Sequence, residues 1–259
     1  MLWETHLSPA NADTAFAGLT TAWQQPDNKV FVLRGRSIDD PKRYYTDHFD
    51  RIGTPVALAE DVTIGDRDHQ RSGEIWMEVR YDPAFTDAYR HSANAQPLHT
   101  DGSYIPDFPN ATLMACVANA GDGGETTFIH ADDLVAALAA DQPDLPEALS
   151  TTPLPHARSG DRRSEPVIDR SGPVTLLNWN YYCVDRNATP AERALADRFF
   201  AYLQTSPLVR SHLLAIKLGP GDAVTWKDRE VLHGRNAFVA SAASERFLWK
   251  CAVDVGVFA

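Results

Sequence analysis

The chain has nine histidines and 35 acidic residues, and three His-x-Asp pairs stand among them: His48–Asp50, His99–Asp101 and His130–Asp132. Composition alone produces about one such pair by chance, so the spacing by itself decides nothing. The backbone decides. On a strand, residues i and i+2 point to one face and can share a metal ion, whereas on a helix they stand about 200° apart and cannot. His48 and Asp50 fall in a helical stretch and read as a solvated face. His130 and Asp132 fall where a helix begins, and Asp132 reads as its cap or as a first-turn acid favoured by the helix dipole. His99 and Asp101 follow Pro97-Leu98 and precede Gly102-Ser103-Tyr104, a strand end opening into a loop. Only that pair can chelate as written.

A His-carboxylate pair needs a third ligand. His233, in Val231-Leu-His-Gly-Arg-Asn236, lies on an alternating segment after the Gly219-Pro-Gly-Asp222 turn. Taken alone it reads more readily as a structural histidine. Two His, one carboxylate and open positions, however, make the facial triad of non-haem Fe(II) oxygenases. Thirteen residues beyond His233, Arg246 opens a strand that puts Arg246, Leu248, Lys250, Ala252 and Asp254 on one face. The other face holds Phe247, Trp249, Cys251, Val253 and Val255. A guanidinium fork suits the far carboxylate of a keto acid, although an isolated arginine is more often a surface ion-pair residue. Asp122-Gly-Gly-Glu-Thr126 reads as a turn that delivers the Thr126 hydroxyl.

The elements that must carry these groups follow from periodicity. Helices are expected over residues 11–25 (capped by Asn11 or Asp13), 39–51, 132–140 and 189–205, the last with Pro190 first and a Thr189/Glu192 capping box. Strands are expected over 29–33, 111–117, 174–178, 213–218, 223–226, 231–238 and 246–255. Residues 141–170, which hold five prolines, read as a long surface excursion. Short strands at close spacing suggest a sandwich or barrel rather than a parallel sheet.

Composition narrows the class. A chain of 259 residues suffices for one sizeable core and suggests a single domain over residues 1–259. Its charge, 24 − 35 = −11, speaks against a nucleic-acid binder or a surface held on anionic lipid. The longest runs free of charged residues, 108–121 and 171–184, are 14 residues each and too short to span a membrane. Three scattered cysteines make neither a disulfide framework nor a Cys-x-x-Cys site, and the N-terminus has no signal-peptide pattern. A cytoplasmic protein is expected. The oligomeric state is not legible.

Taken in order, Pro97-Leu-His-Thr-Asp-Gly-Ser-Tyr104, Gly123-Gly-Glu-Thr-Thr-Phe128, Gly219-Pro-Gly-Asp222, Val231-Leu-His-Gly-Arg-Asn-Ala-Phe238 and Arg246-Phe-Leu-Trp-Lys250 resemble the taurine dioxygenase/TfdA family of Fe(II)- and 2-oxoglutarate-dependent oxygenases. The Leu-His-Thr-Asp and Val-Leu-His-Gly-Arg versions are most similar to its γ-butyrobetaine hydroxylase and clavaminate synthase branch. The matching motifs lie within residues 95–255. The resemblance implies an α+β fold, a double-stranded β-helix (a cupin-like jelly roll) flanked by helices. It implies that His99, Asp101 and His233 hold Fe(II), that Arg246 pairs with the far carboxylate of 2-oxoglutarate, and that Thr126 bonds to that carboxylate. O2 is then the other cosubstrate. Several relatives carry a second substrate-binding arginine four residues after the first; here Lys250 stands there, keeping a charge without the bidentate fork. His130 stands where relatives often carry Asp.

The substrate side rests on Tyr104, Asn178, Trp179, Asn180, Tyr181 and Lys250, which are expected to line a pocket for a small, amino-acid-like or secondary metabolite, with Lys250 favouring a carboxylate. Two other readings stand beside this one: a cupin-like metal-binding module without turnover, and a zinc hydrolase with two His and one Asp. Halogenating relatives replace the carboxylate of the triad by a small residue. With Asp101 in place, the expected outcome is hydroxylation or a related oxidation such as desaturation or epoxidation. Chloride transfer in a product assay would overturn it.

Overall fold

A computed structural model describes residues 1–57, 74–84, 88–158 and 160–256. Two sheets dominate. The larger has seven strands, in the order Leu2–His6, Val30–Arg34, Ala223–Lys227, Ala111–Ala118, Phe247–Asp254 and Thr54–Val56, with Met77–Arg80 also paired to Phe247–Asp254. Only the first pair in that order is parallel. The smaller sheet has four antiparallel strands, in the order Leu214–Ile216, Thr126–His130, Val231–Arg235 and Gln96–His99.

Alternation along the strands builds three apolar layers. Val30, Val32, Met114, Cys116 and Leu248 face the smaller sheet's Phe128, Ile216 and Val231, and the Phe128 and Trp226 rings meet at 5.3 Å. The intervening residues Phe31, Leu33, Leu113, Ala115, Cys251 and Val253 face out, under the helix Ala12–Trp23 and its neighbours. The outer side of the smaller sheet is covered by the helices Ala131–Asp141, Leu145–Thr151 and Pro190–Thr205. Two stacked antiparallel sheets with helices on both outer faces form the expected double-stranded β-helix. The period-two faces of Phe247–Asp254 are as the sequence places them, with Leu248 inside and Cys251 and Val253 outside.

The capping box is present: Glu192 N–H donates to Thr189 Oγ1 at 3.3 Å, and Thr189 N–H donates back to Glu192 at 2.6 Å. Other expectations need correction. Asn11 begins the first helix without a side-chain cap, its carboxamide accepting from Ser8 N–H instead. The stretch 39–51 divides into Pro41–Thr46, capped by Asp40, and Phe49–Ile52, ended by Gly53. The His48 ring between them stacks on Phe16 and Tyr44, so it packs rather than faces solvent. Of 174–178 only Leu176–Leu177 pairs, with Ile168–Asp169. The helix Ala131–Asp141 is capped by His130, whose Nδ1 accepts from Asp132 N–H at 3.1 Å; Asp132 is a first-turn acid, not the cap.

The largest correction concerns 141–170. Its described residues fold into the helix Leu145–Thr151 and the hairpin Pro153–Arg158/Asp161–Pro166. Prolines fall where their missing N–H does least harm, Pro146 in the first helical turn and Pro153 opposite Pro166 at the hairpin's open end. Leu145, Leu149, Leu154, Val167 and Ile168 are buried in the core under the smaller sheet. Burial overrides the loop-like composition.

His156 is buried on this hairpin. Its Nδ1–H donates to Leu154 O at 3.2 Å and its Nε2 accepts from Asn180 N–H at 3.4 Å, so the neutral ring is bonded on both sides. Burial, assisted by Arg163, lowers its pKa to about 4. A depressed histidine is stabilising when neutral: its contribution is complete above the unfolded value near 6.5 and is lost as pH falls from there towards 4. The wild type is expected to lose up to ~3 kcal/mol more than His156→Gln across that window. Urea unfolding at pH 7, 6, 5 and 4 checks this; parallel curves for the two proteins would count against it.

Candidate metal centre and its cavity

Strand pairing brings the two histidines together. The antiparallel register of Val231–Arg235 on Gln96–His99 sets His233 opposite His99, so both side chains leave the same face and their rings lie 4.2 Å apart. Asp101 follows in the turn beyond the strand. Its Oδ1 is 3.8 Å from His99 Nε2 and 3.7 Å from His233 Nε2, and one ligand atom from each residue lies within 4.8 Å of the others. Among the described residues this is the one His/Cys/Asp/Glu cluster able to hold a metal ion.

The donor set is prepared for a cation. His99 Nδ1–H donates to Pro97 O at 2.9 Å, which leaves the Nε2 lone pair facing inward, beside the Gln96 amide at 3.1 Å. Burial lowers the pKa of both imidazoles, so both stay neutral. Burial would raise the Asp101 carboxyl, but the Lys250 ammonium at 2.6 Å outweighs it and keeps the group ionised. Thr112 donates to Asp101 Oδ2 at 3.0 Å. Two neutral imidazoles and one ionised carboxylate fit a non-haem Fe(II) site. Thiolates, which would favour other metals, are absent from the cluster.

The centre opens into a cavity of about 950 Å³ between the sheets. Arg246 lies at one side of it, 1% exposed. Its Nη2 donates to Gly124 O at 3.4 Å, while its buried Nε has no hydrogen-bond partner. Burial and the neighbouring Arg235 pull its pKa down to about 9. Gly124 adopts φ +77, and a Cβ there would stand 3.2 Å from Arg246 Nε. Thr126 also lines the cavity, paired in register with Arg235. Arg235 is engaged differently, donating to the carbonyls of Tyr89, Ser92 and Asn94 at 2.6–3.0 Å.

Tyr104, Asn180, Tyr181 and Lys250 line the same cavity. Asn178 and Trp179 do not. Asn178 is buried with its amide on Ser103 O, and Trp179 is packed against Phe199 in the core under the smaller sheet. The segment therefore leaves the core between Trp179 and Asn180, a point the sequence left open. Lys250, expected at the substrate pocket, lines the cavity and donates to Asp101 Oδ1 at 2.6 Å. Sequence reading missed Thr112, Gln96, Arg235 and Asp228. Thr112 was findable as the polar member of an otherwise apolar strand; the other three depend on tertiary placement.

The profile of the taurine catabolism dioxygenase TauD, TfdA family matches residues 13–252. The chain belongs to that family. Within it, the chain is 29% identical over 189 residues to a γ-butyrobetaine dioxygenase of Pseudomonas sp. (strain AK-1), covering 70% of this chain and 48% of that protein. It is 31% identical over 175 residues to a uridine-5'-phosphate dioxygenase of Streptomyces sp., covering 61% of each. The chain thus spans about half to three-fifths of the length of these relatives. Among solved structures, the non-haem iron oxygenase OrfP in complex with Fe and alpha-ketoglutaric acid superposes with a TM-score of 0.67 at 16% identity, over 98% of this chain and 94% of that one. An asparagine oxygenase in complex with Fe(II), 2S,3S-3-hydroxyasparagine and succinate gives 0.64 at 16% identity, over 95% and 79%. At these identities the structures show the family's fold. No helix among the described residues is long and apolar enough to cross a membrane.

Gly102 fixes the turn that carries Asp101. Its φ is +54, and a Cβ there would meet the Phe108 ring at 2.2 Å. Gly102→Ala is expected to cost ~1–2 kcal/mol for the backbone alone, more with the displaced ring, and to weaken metal uptake with it. Thermal unfolding and Mn(II) titration of the variant check this. Unchanged values in both would mean that the turn tolerates rearrangement.

Proposed function

We propose that the chain is an Fe(II)- and 2-oxoglutarate-dependent oxygenase that oxidises an unactivated carbon of a small anionic molecule, acting as one domain over residues 1–259 in the cytoplasm. One observation carries this: a His-Asp-His cluster and a buried arginine with an unbonded Nε share one cavity. His99, Asp101 and His233 would hold the iron. Bound together, iron and 2-oxoglutarate would supply the O2-activating redox chemistry that the side chains lack.

The remaining work belongs to the chain. Arg246 pairs with the far carboxylate of 2-oxoglutarate, offering a fork whose water has already been removed. The Thr126 hydroxyl donates to the same carboxylate. Tyr104, Tyr181 and Asn180 shape the substrate compartment and limit water. Family membership supports the reaction class. A cupin-like module without turnover, or a zinc hydrolase, would leave Arg246 and Thr126 with nothing to hold.

Charge supports an anionic substrate. Among the described residues, the cavity lining carries Arg90, Arg158, Arg235, Arg246 and Lys250 against one carboxylate, Asp101. One relative is named for a phosphate-bearing molecule, uridine-5'-phosphate.

In anaerobic titration with Fe(II) and 2-oxoglutarate, the wild type is expected to develop the metal-to-ligand charge-transfer band. Arg246→Met is expected to need at least about 30-fold more 2-oxoglutarate, as for a lost buried charge pair. A band that forms equally in both proteins would remove Arg246 from the site. On the substrate side, Lys250→Met is expected to raise the KM of an anionic substrate about tenfold and leave that of 2-oxoglutarate nearly unchanged. The neutral variant is preferable to charge reversal, which would set a second carboxylate against Asp101. Equal rises in both KM values would count against a substrate role.

A further inference from the structure

One buried carboxylate near the centre has no part in the scheme above. Asp228 lies in the single turn Asp228–Glu230 between Ala223–Lys227 and Val231–Arg235, and it is 0% exposed. Its Oδ2 accepts from Asp101 N–H at 3.0 Å, and its Oδ1 accepts from Trp226 Nε1–H at 3.0 Å. The same Oδ1 stands 3.6 Å from His233 Nδ1, a buried atom with no hydrogen-bond partner. Asp228 itself is fixed from behind, its N–H donating to Asn110 O at 3.0 Å.

Resting on the oxygenase reading, we propose that Asp228 is the positioning residue of the metal centre, holding Asp101 through its backbone and His233 through its ring. The argument is one of geometry. A ligating imidazole offers one nitrogen to the metal and needs an acceptor for the N–H on the other, and that acceptor sets tautomer and ring orientation. For His99 the acceptor is Pro97 O. For His233, Asp228 Oδ1 is the carboxylate facing Nδ1, and a small rotation of either side chain closes 3.6 Å to bonding distance. The second oxygen meanwhile anchors the residue that supplies the third ligand. One rigidly held group therefore spaces two ligands, one on the strand Val231–Arg235 and the other in the turn that follows Gln96–His99. Asp228 touches no substrate or cofactor, so its effect passes entirely through Asp101 and His233.

The test uses the whole chain and two readouts that do not require turnover. In the metal-free wild type, 15N-histidine NMR is expected to show His233 protonated at Nδ1 and bare at Nε2. The reverse tautomer overturns the proposal without any variant. In anaerobic Mn(II) titration, Asp228→Asn, which can present one acceptor oxygen but not two, is expected to bind 10–100-fold more weakly. Asp222→Asn is the comparison. Asp222 is a buried carboxylate that ties Arg34 and the backbone of Gly35 and Gly219 away from the centre, and its variant is expected to lose thermal stability with Mn(II) affinity within about twofold. Equal metal affinity in wild type and Asp228→Asn, or an equal loss in both variants, overturns the assignment while leaving the oxygenase reading intact. A wild type that takes up no divalent ion overturns both.

Discussion

The register between Val231–Arg235 and Gln96–His99 is the constraint from which the rest of the site follows. His233 opposes His99 in that register and Phe128 across the next pair, while Arg235 opposes Thr126. Reading along this face of the sheet, the side chains pass from apolar Val231 and Phe128 to the metal-binding pair and then to the polar pair at the cavity. A slip of one residue would turn every one of these groups to the helix-covered side. Burial on both faces prevents it. Leu232 and Ile129 are fully buried under the helices, and Val231 and Phe128 are fully buried between the sheets. The precision of the centre is thus set by apolar packing on either side of it.

The facing strand supplies the charges. Phe247–Asp254 presents Lys250 and Ala252 to the cavity and Leu248 to the core, with Arg246 just before it. The net charge of −11 therefore conceals a local reversal. Among the described residues, the cavity lining gathers several cationic side chains around the carboxylate of Asp101. A low-dielectric, cation-lined compartment strengthens attraction for anions well beyond what the same charges would give in water. Whole-chain charge averages over this reversal and does not describe the cavity.

Much of the site was legible because it rests on local spacing. His99 is readable as a strand end and Asp101 as the acid of the loop that opens there, and the face shared by Leu248 and Lys250 from period two. The long helix Pro190–Thr205 was readable from its cap. What escaped depends on partners distant in sequence. Residues 141–170 look like a loop, since nothing local reveals that Leu145, Leu149 and Leu154 are wanted by a core that includes Phe199 and Leu203, distant in sequence. Asn178 and Asn180 are alike in sequence, yet tertiary packing sends the first to Ser103 and the second to the cavity. Asp228 carries no motif. Its meaning lies in the three elements that converge on it.

The two buried arginines show how one residue type serves two ends in one site. Arg235 spends its guanidinium on the carbonyls of Tyr89, Ser92 and Asn94, which ties the segment over the cavity to the smaller sheet. Arg246 is as deeply buried, lies near enough to Arg235 to be destabilised by it, and has a long contact to Gly124 O, the face of Phe238 at 5.4 Å and a weak charge attraction from Glu125. Two like charges in one low-dielectric space are costly, and only one of them is compensated by the protein. In the proposed oxygenase the cost left at Arg246 would be relieved when an anion arrives, which would link ligand binding and fold stability through this residue. On the proposed reading, this weakly compensated buried cation beside the histidine-carboxylate cluster would be half of an interaction, whose other half is a carboxylate brought by the ligand.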